Sequence, residues 1–449
     1  MGVLPSILDN QNLSELSVAQ KIKIIRKSLG IQQSVFADAA LTSQARISRV
    51  ENDEDEYNQE ELNAIKERLG IKDMPLREFD RIAFRGSLYF WRDLLRGRKM
   101  DEAKALREKS SPILILEPLD PDLVMLFRLF EVLHLIIEDD MDTAKENLNL
   151  IYENYAHMNV EHFYYYYNNT ASIYAKEGSY KNAIKYYTKS LDLIKNNKDF
   201  LPTDQGWLYY NLANCYSRLQ MPHRTLAFLH KIPKAILEDK TTPHGLGVDI
   251  MFAINYIRIG EYRSAEALLN DCLMQAKATY NNWAIGVTLR NLGILNKRKE
   301  NWEKAIAYFE QAMEVFGENS DHYSVDLYHK IFSLIGSREF VEAGNLLKKI
   351  KSVYDESHRD FVFFETLRHI LIISKRISIY NKKSVEYIET ISIPHFIENS
   401  ANFEAIDCCR LIELHCLKTK KQIKSLEAKA IISDIYEKMF VSQMEGDVL

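Results

Sequence analysis

Four cationic residues recur along this chain at nearly constant spacing. They lie 42, 40 and 40 residues apart, each near the end of a stretch with helical periodicity: Lys176, Arg218, Arg258 and Arg298. If successive helices stack, these side chains form a column, which suits a peptide carboxyl terminus or an acidic side chain. The same positions also suit the capping of helix ends, or pairing with nearby acids such as Glu177 or Glu261.

A repeated structural element must position such a column. A small residue recurs at intervals of 41, 39, 42, 40, 40 and 38 residues, at Ala103, Ala144, Ala183, Thr225, Ala265, Ala305 and Ala343. An interval near 40 residues is typical of paired helices that stack into a solenoid. The chain has only 16 Gly and 10 Pro in 449 residues, which favours long helices with few breaks. The pattern weakens after Phe361, where we expect a capping region.

Enzymatic chemistry has no comparable support in the sequence. There is no nucleophile motif, phosphate-binding loop or pair of catalytic carboxylates, so we predict neither an enzyme nor a bound cofactor. The 12 histidines and five cysteines lack metal-ligand spacing, which predicts no metal site. The odd number of cysteines favours reduced thiols and a cytoplasmic location. No apolar run is long enough to span a bilayer.

Charge is unevenly distributed near the amino end, although the net charge is only -5. Residues 18–50 contain six basic residues and one acid, whereas residues 51–61 contain seven acids and no base. We expect the first segment to face nucleic-acid phosphates and the second to face away. Helical periodicity predicts four short helices here, with Val35, Phe36 and Ala37 in the core and Ser43 capping the third helix.

The segment 30–52 resembles the phage-repressor type of helix-turn-helix without a gap. The resemblance implies binding to double-stranded operator DNA, with Gln33 and Ser43 contacting phosphates. It also implies that Gln44 and Arg49 meet base edges, where Gln pairs with adenine and Arg with guanine. Arg46 is placed to serve a base or a phosphate. The complete set of expected DNA contacts is Gln33, Ser43, Gln44, Ala45, Arg46 and Arg49.

The turn between the two central helices departs from this resemblance at one position. The family usually has Gly there, and this chain has Leu41. Because a branched side chain disfavours positive φ, we expect a slightly reshaped turn that still supports the motif.

Residues 164–197 resemble a tetratricopeptide repeat, with Ala171 and Ala183 between the helices and Gly178 at the turn. The repeats and the helix-turn-helix together resemble the peptide-pheromone receptors of Gram-positive bacteria, the Rgg, Rap, NprR, PlcR and PrgX group. The implied fold is all-α: a phage-repressor-like helix-turn-helix domain followed by a right-handed, tetratricopeptide-like α-solenoid. The implied domains are an arm (1–17), a DNA-binding domain (18–71), a linker (72–84) and a peptide-binding, dimerising repeat domain (85–449).

In such repeats the first helix of each pair would line the peptide groove. Asparagine suits this surface because its amide offers a donor and an acceptor to the backbone of an extended peptide. The candidate peptide-binding residues are Asn168, Asn169, Lys176, Tyr210, Asn211, Asn214, Arg218, Arg258, Arg290, Asn291, Arg298 and His329. The resemblance implies a quorum-sensing transcriptional regulator that binds its operator as a homodimer and is switched by a short signalling peptide. The alternative is an interaction protein whose repeats sequester a partner, such as a phosphorelay component, with or without DNA binding.

Overall fold

The computed structural model describes residues 17–28, 31–69, 78–116, 120–153, 155–195, 200, 202–233, 243–318, 320–351, 353–354, 358 and 360–441. These residues form helices joined by turns, and no strand occurs among them. The chain divides into two compact units, residues 1–208 and 209–449. No described helix combines the length and the apolar character that a membrane crossing needs.

The first four helices form a small bundle with its own core. They are α1 (Val18–Ser28), α2 (Gln33–Ala39), α3 (Gln44–Glu51) and α4 (Gln59–Leu69). The buried apolar side chains of this core are Ile22, Phe36, Ala37, Ala40, Ile47 and Ile65. The prediction that Val35 belongs to the core is wrong, because its side chain is 58% exposed. Gly30, at the expected end of the first helix, lies outside the described residues.

The other helices of the first unit follow one another as antiparallel pairs. They are α5 (Glu78–Arg96), α6 (Met100–Leu116), α7 (Pro121–Glu138), α8 (Met141–Tyr152), α9 (Val160–Lys176) and α10 (Tyr180–Lys195), with a short 3-10 turn at Tyr155–His157. Residues 78–84 of the predicted linker thus form the start of α5. Helix α1 packs against α7 and α8, so the amino-terminal bundle contacts the first repeats directly.

The boundary between the two units falls within α11 (Pro202–Arg218). The second unit continues with α12 (Pro222–Leu229), α13 (Pro243–Ile259), α14 (Tyr262–Ala278), α15 (Asn282–Arg298), α16 (Trp302–Phe316), α17 (Asp321–Gly336) and α18 (Phe340–Lys349). Its last described helices are α19 (Phe361–Lys375), α20 (Lys382–Tyr387), α21 (Ile393–Glu398), α22 (Asn402–Lys418) and α23 (Gln422–Val441), with a π-helical turn at Ile388–Ser392 before α21.

The seven small residues that define the predicted repeat are all completely buried. Each lies five residues after a residue with positive φ at the turn between paired helices: Arg98, Asp139, Gly178, Gln220, Gly260, Glu300 and Arg338. The next backbone N–H closes the turn on a carbonyl five residues back, as from Glu261 N to the Tyr256 oxygen at 2.9 Å. This bond is typical of a helix that ends in a left-handed residue. The predicted repeat frame is therefore confirmed.

The turn between α2 and α3 contains a non-glycine residue in the left-handed region. Leu41 has a φ of 52°, and the Thr42 N–H reaches the Ala37 carbonyl oxygen at 3.0 Å. A left-handed conformation costs a non-glycine residue about 1–2 kcal/mol. The Leu41 side chain is 78% exposed and adds no steric conflict to that cost. The expectation of a reshaped turn is therefore wrong, because the turn keeps the conformation that glycine would adopt.

Candidate functional site

Helix α3 presents a short polar face to solvent. It begins at Ser43, whose Oγ accepts a hydrogen bond from the Arg46 backbone N–H at 3.3 Å, which confirms the predicted cap. Ile47 and Val50 bury the opposite side of the helix in the bundle core. The predicted contact residues whose side chains are exposed are Ser43, Gln44, Ala45 and Arg49. The α3 face therefore combines an amide and a guanidinium, the two groups suited to bidentate recognition of bases.

Arg46 points away from that face and into the domain. Its guanidinium donates to Glu61 at 2.5 Å, to Asp55 at 2.5 Å and to the Glu56 carbonyl oxygen at 2.9 Å. Asp55 lies in the acidic segment that follows α3, and Glu61 lies in the first turn of α4. Arg46 thus joins α3 to α4, and its charge is neutralised inside the domain.

Glu51, at the end of α3, is buried against α1 and α2. Arg26 reaches both of its carboxylate oxygens, with Nε at 2.6 Å and Nη2 at 2.8 Å. Gln33 Nε2 donates to the same carboxylate at 2.8 Å, and Lys23 Nζ donates to the Glu51 carbonyl oxygen at 2.7 Å. Gln33, expected to contact phosphate, therefore already has a partner within the protein.

The distribution of charge differs from the sequence expectation. The segment 51–61 does not simply face away from the basic residues. Glu51 neutralises Arg26, whereas Asp55 and Glu61 neutralise Arg46. The exposed positive charge on α3 is therefore that of Arg49.

Three predicted peptide-binding residues lie in the first unit, on α9. Asn169 is buried, and its Nδ2 donates to the Leu129 carbonyl oxygen at 2.7 Å, so it joins α9 to α7. Lys176 makes an exposed ion pair of 2.7 Å with Asp139, the left-handed residue of the preceding repeat. Asn168 is half-buried. The expected acid partner, Glu177, pairs instead with Lys145 at 2.6 Å.

Helix α11 places a row of polar side chains on one face of the second unit. Asn211, Asn214 and Arg218 follow one another at intervals of three and four residues, the spacing of one helix face. Asn211 and Asn214 are half-buried, like the neighbouring Tyr210, and Arg218 is exposed. Within the described residues, neither asparagine amide has a hydrogen-bond partner. These two amides can therefore bind a peptide backbone without first breaking an internal bond.

Three other predicted residues of the second unit take part in internal packing. Arg290 makes a two-point ion pair with Asp326, whose side chain is completely buried. Asn291 is buried and donates to the Val287 carbonyl oxygen of its own helix at 2.8 Å. His329 is buried against the Phe309 ring, and its pKa is well below the usual value because burial disfavours its charged form.

Two cations of the predicted column, Arg258 and Arg298, have different partners. Arg298, together with Lys297, binds the carboxylate of Asp407 at the start of α22. Among the described residues, Arg258 Nη1 donates to neutral oxygens: the Ser217 carbonyl at 2.8 Å, Ser217 Oγ at 3.0 Å and Asn255 Oδ1 at 3.2 Å. Burial lowers the pKa of Arg258 to about 10, against the opposing negative charge of Glu404 and with a smaller contribution from the positive charge of Arg218.

The acidic partners of these cations were missed by sequence reasoning. Asp326 lies 36 residues from Arg290, and Asp407 lies 110 residues from Lys297. No local pattern connects residues so far apart. Only the packing of successive helices brings them together.

The comparisons with known proteins agree with this architecture. A helix-turn-helix family model matches residues 22–74, and tetratricopeptide-repeat models match residues 164–197 and 250–318. No curated protein matches the chain by sequence. A Rap protein complexed with competence and sporulation factor is 16% identical, with a TM-score of 0.65 over 80% of this chain and 98% of that chain. The chain has the Rap and NprR fold behind a helix-turn-helix domain.

Two structures of NprR show the same similarity. The apo quorum sensor from B. thuringiensis is 18% identical, with a TM-score of 0.63 over 78% of this chain and 98% of that one. NprR in complex with its cognate peptide NprX is 17% identical, with a TM-score of 0.58 over 80% and 98%. The predicted all-α fold, with a helix-turn-helix before tetratricopeptide-like repeats, is confirmed.

The family models match all of the expected DNA contacts but only part of the expected peptide-binding set. The helix-turn-helix match contains all six expected DNA contacts. The repeat matches contain Asn168, Asn169 and Lys176 in one segment, and Arg258, Arg290, Asn291 and Arg298 in the other. The α11 residues from Tyr210 to Arg218 lie between the matched segments, so their frame comes from the observed helix pairs alone.

Proposed function

We propose that this protein is a transcriptional regulator whose binding to operator DNA is switched by a short signalling peptide held by its repeats. The observation that carries the proposal is the exposed α3 face with Gln44 and Arg49, in a chain whose repeats have the fold of a quorum sensor solved with its peptide. Since operator DNA is the target, the protein would act in the cytoplasm.

The DNA contacts follow from what remains exposed on α3. Gln44 and Arg49 would read base edges in the major groove, while Ser43 and the first backbone N–H groups of α3 would meet a phosphate. Arg46 and Gln33 would hold α3 in place rather than touch DNA, because both are bonded to carboxylates of the same domain. A single reading helix rarely suffices, so two copies would bind half-sites about 34 Å apart as a homodimer.

The peptide would lie on the first helices of the second unit. Asn211 and Asn214 supply the partner-free amides for its backbone, and the neighbouring Tyr210 and Arg218 add an aromatic and a charged contact. A peptide that favours one arrangement of the repeats over another shifts the population between two states of the protein. The two states would differ in how the pair of reading helices meets the operator.

Replacing Arg49 with alanine is expected to weaken operator binding about 5- to 150-fold, because one bidentate arginine contact contributes about 1–3 kcal/mol of discrimination. The operator would first be selected by the wild-type protein from a pool of randomised duplexes, and affinities would be measured by gel shift. Arg263→Ala removes an exposed arginine from α14 and should leave binding unchanged. An Arg49→Ala variant with unaltered affinity and base preference would exclude α3 as the reading helix.

Replacing Asn211 or Asn214 with alanine is expected to weaken peptide binding about 5- to 100-fold, because each change leaves two peptide backbone groups without partners. The probe is a heptapeptide recovered by affinity selection from a random pool on the wild-type protein, and binding is measured by calorimetry. Asn270→Ala, at an exposed position of α14, is the matched control. DNA binding without peptide should be unchanged in all three variants. Equal peptide affinity in both test variants and the control would rule out this helix face.

A further inference from the structure

Arg258 is an unusual cation because no acid in the described part of the chain forms an ion pair with it. The residue is largely enclosed, and its three hydrogen bonds go to uncharged oxygens of Ser217 and Asn255. No carboxylate among the described residues lies within 4 Å of its guanidinium. A buried charge without a counter-ion is costly, and proteins normally pair such groups.

Three other cations of the candidate peptide-binding set form ion pairs with acids of the protein. Lys176 binds Asp139, Arg290 binds Asp326, and Arg298 binds Asp407. Arg218, the neighbour of Arg258 in the column, is exposed and adds a second positive charge close to the first. Three of these cations thus pair with acids of the protein, whereas no carboxylate among the described residues forms an ion pair with Arg218 or Arg258.

The first turn of α22 bounds this pair of arginines. Phe403 N donates to Gln220 Oε1 at 3.2 Å, at the turn just beyond Arg218. The Phe403 ring lies 5.4 Å from the Arg298 guanidinium, and Asp407 pairs with the same arginine. The negative charge of Glu404 raises the pKa of Arg258, but Glu404 is too far from Arg258 to form an ion pair with it. The first part of α22 therefore contacts both the turn after Arg218 and Arg298, while Arg218 itself is exposed.

We propose that Arg218 and Arg258 bind the terminal carboxylate of the peptide ligand. This inference rests on the peptide binding proposed above and specifies which group of the peptide is recognised. An extended peptide that enters past Asn211, Asn214 and Arg218 ends at Arg258, because the α22 turn blocks its continuation. A carboxylate there supplies the missing counter-ion and accepts from guanidinium N–H groups that have no acceptor.

The alternative is that Arg258 only caps the end of α11 through the Ser217 carbonyl. Capping needs a donor but not a full charge, so Arg258→Gln separates the two roles. We expect this variant to melt within about 2 °C of the wild type, whereas Arg298→Gln melts about 4 °C lower or more, because it leaves Asp407 incompletely paired. A fall for Arg258→Gln as large as that for Arg298→Gln would show that the free protein uses the charge, and would overturn the proposal.

The binding test uses two pools of random heptapeptides, one with free carboxyl termini and one with carboxamide termini. We expect the wild type to enrich free acids at least about tenfold over amides, since one charge-assisted bond contributes about 1.5–3 kcal/mol. The enrichment should disappear in Arg258→Gln and persist in Lys330→Gln, which removes a cation paired with Glu310 at 2.8 Å on another helix of the second unit. Both pools are analysed by mass spectrometry after elution from the full-length protein.

The outcomes separate this inference from the proposed function. Peptides captured equally from both pools would refute the carboxylate site and leave peptide binding intact. Amides captured only when they contain Asp or Glu would show that the arginines bind an acidic side chain, which also overturns the terminal assignment. Capture of no peptide from either pool would count against the proposed function itself, and the carboxylate site would fall with it.

Discussion

Glu51→Ala is expected to destabilise the amino-terminal bundle by about 3–5 kcal/mol and to abolish operator binding. Glu51 is buried, and its two carboxylate oxygens accept from Arg26 at 2.6 and 2.8 Å. Removing one member of a buried ion pair leaves the other charge without a partner in an apolar environment, and the cost has this magnitude. Gln33 and Arg26, on α2 and α1, lose their shared acceptor in the same step.

The measurement is amide hydrogen exchange in the full-length protein, read over residues 31–51. Glu51→Ala should speed exchange there by at least about a hundredfold, because the free energy of opening falls by several kcal/mol. Glu54→Ala removes an exposed acid three residues away and should leave exchange unchanged. Equal protection in the two variants would mean that the Arg26–Glu51 pair contributes nothing to the bundle.

The sequence predicted the repeats because their signal is local and periodic. Ala183 and Ala265 are small since two helices approach closely at that position, and the same contact recurs about every 40 residues. The turns that precede the seven small residues were harder to predict, because the left-handed residue is a glycine in two of them, at Gly178 and Gly260. At Gln220 and Glu300 the same conformation is adopted by residues that carry no such signature.

The candidate sites were predicted less completely, because burial and ion pairing depend on distant residues. The spacing of Lys176, Arg218, Arg258 and Arg298 predicted a column of cations, but it could not show which of them already have acids beside them. Arg46 looked like a DNA contact because it lies on the predicted DNA-reading helix, yet Asp55 and Glu61 form ion pairs with it inside the domain. A helical pattern gives the side of the helix that a residue occupies, and long side chains then bend toward the nearest partner.

The pairing of cations also separates structural residues from candidate ligand contacts. Arg290 and Arg258 are both arginines on first helices of repeats, and the sequence placed them in one peptide-binding set. Arg290 has a fully buried carboxylate within hydrogen-bond distance, whereas the acceptors of Arg258 in the described part of the chain are all neutral. The first is therefore expected to act on stability, and the second on binding.

Arg290→Ala is accordingly expected to lower the stability of the second unit by about 3–5 kcal/mol at neutral pH. The Asp326 side chain is completely buried, and Arg290 supplies bonds of 2.7 and 2.8 Å to its two oxygens. Burial already raises the pKa of Asp326 above its usual value, against the opposing effect of Arg290. Without the arginine, nothing offsets the cost of burying that negative charge.

The pH dependence of the Arg290→Ala defect distinguishes this explanation from a loss of packing. An aspartate whose folded pKa is raised favours the folded state when protonated, so its destabilising effect is small below its unfolded pKa and grows as pH rises through the folded pKa. The defect in thermal midpoint should therefore be smaller at pH 4 than at pH 7. Adding Asp326→Asn to Arg290→Ala should restore most of the midpoint at pH 7, because the amide carries no charge to bury. If Arg290→Ala instead melts like the wild type and only loses peptide binding, Arg290 is a ligand contact and its pairing with Asp326 is dispensable.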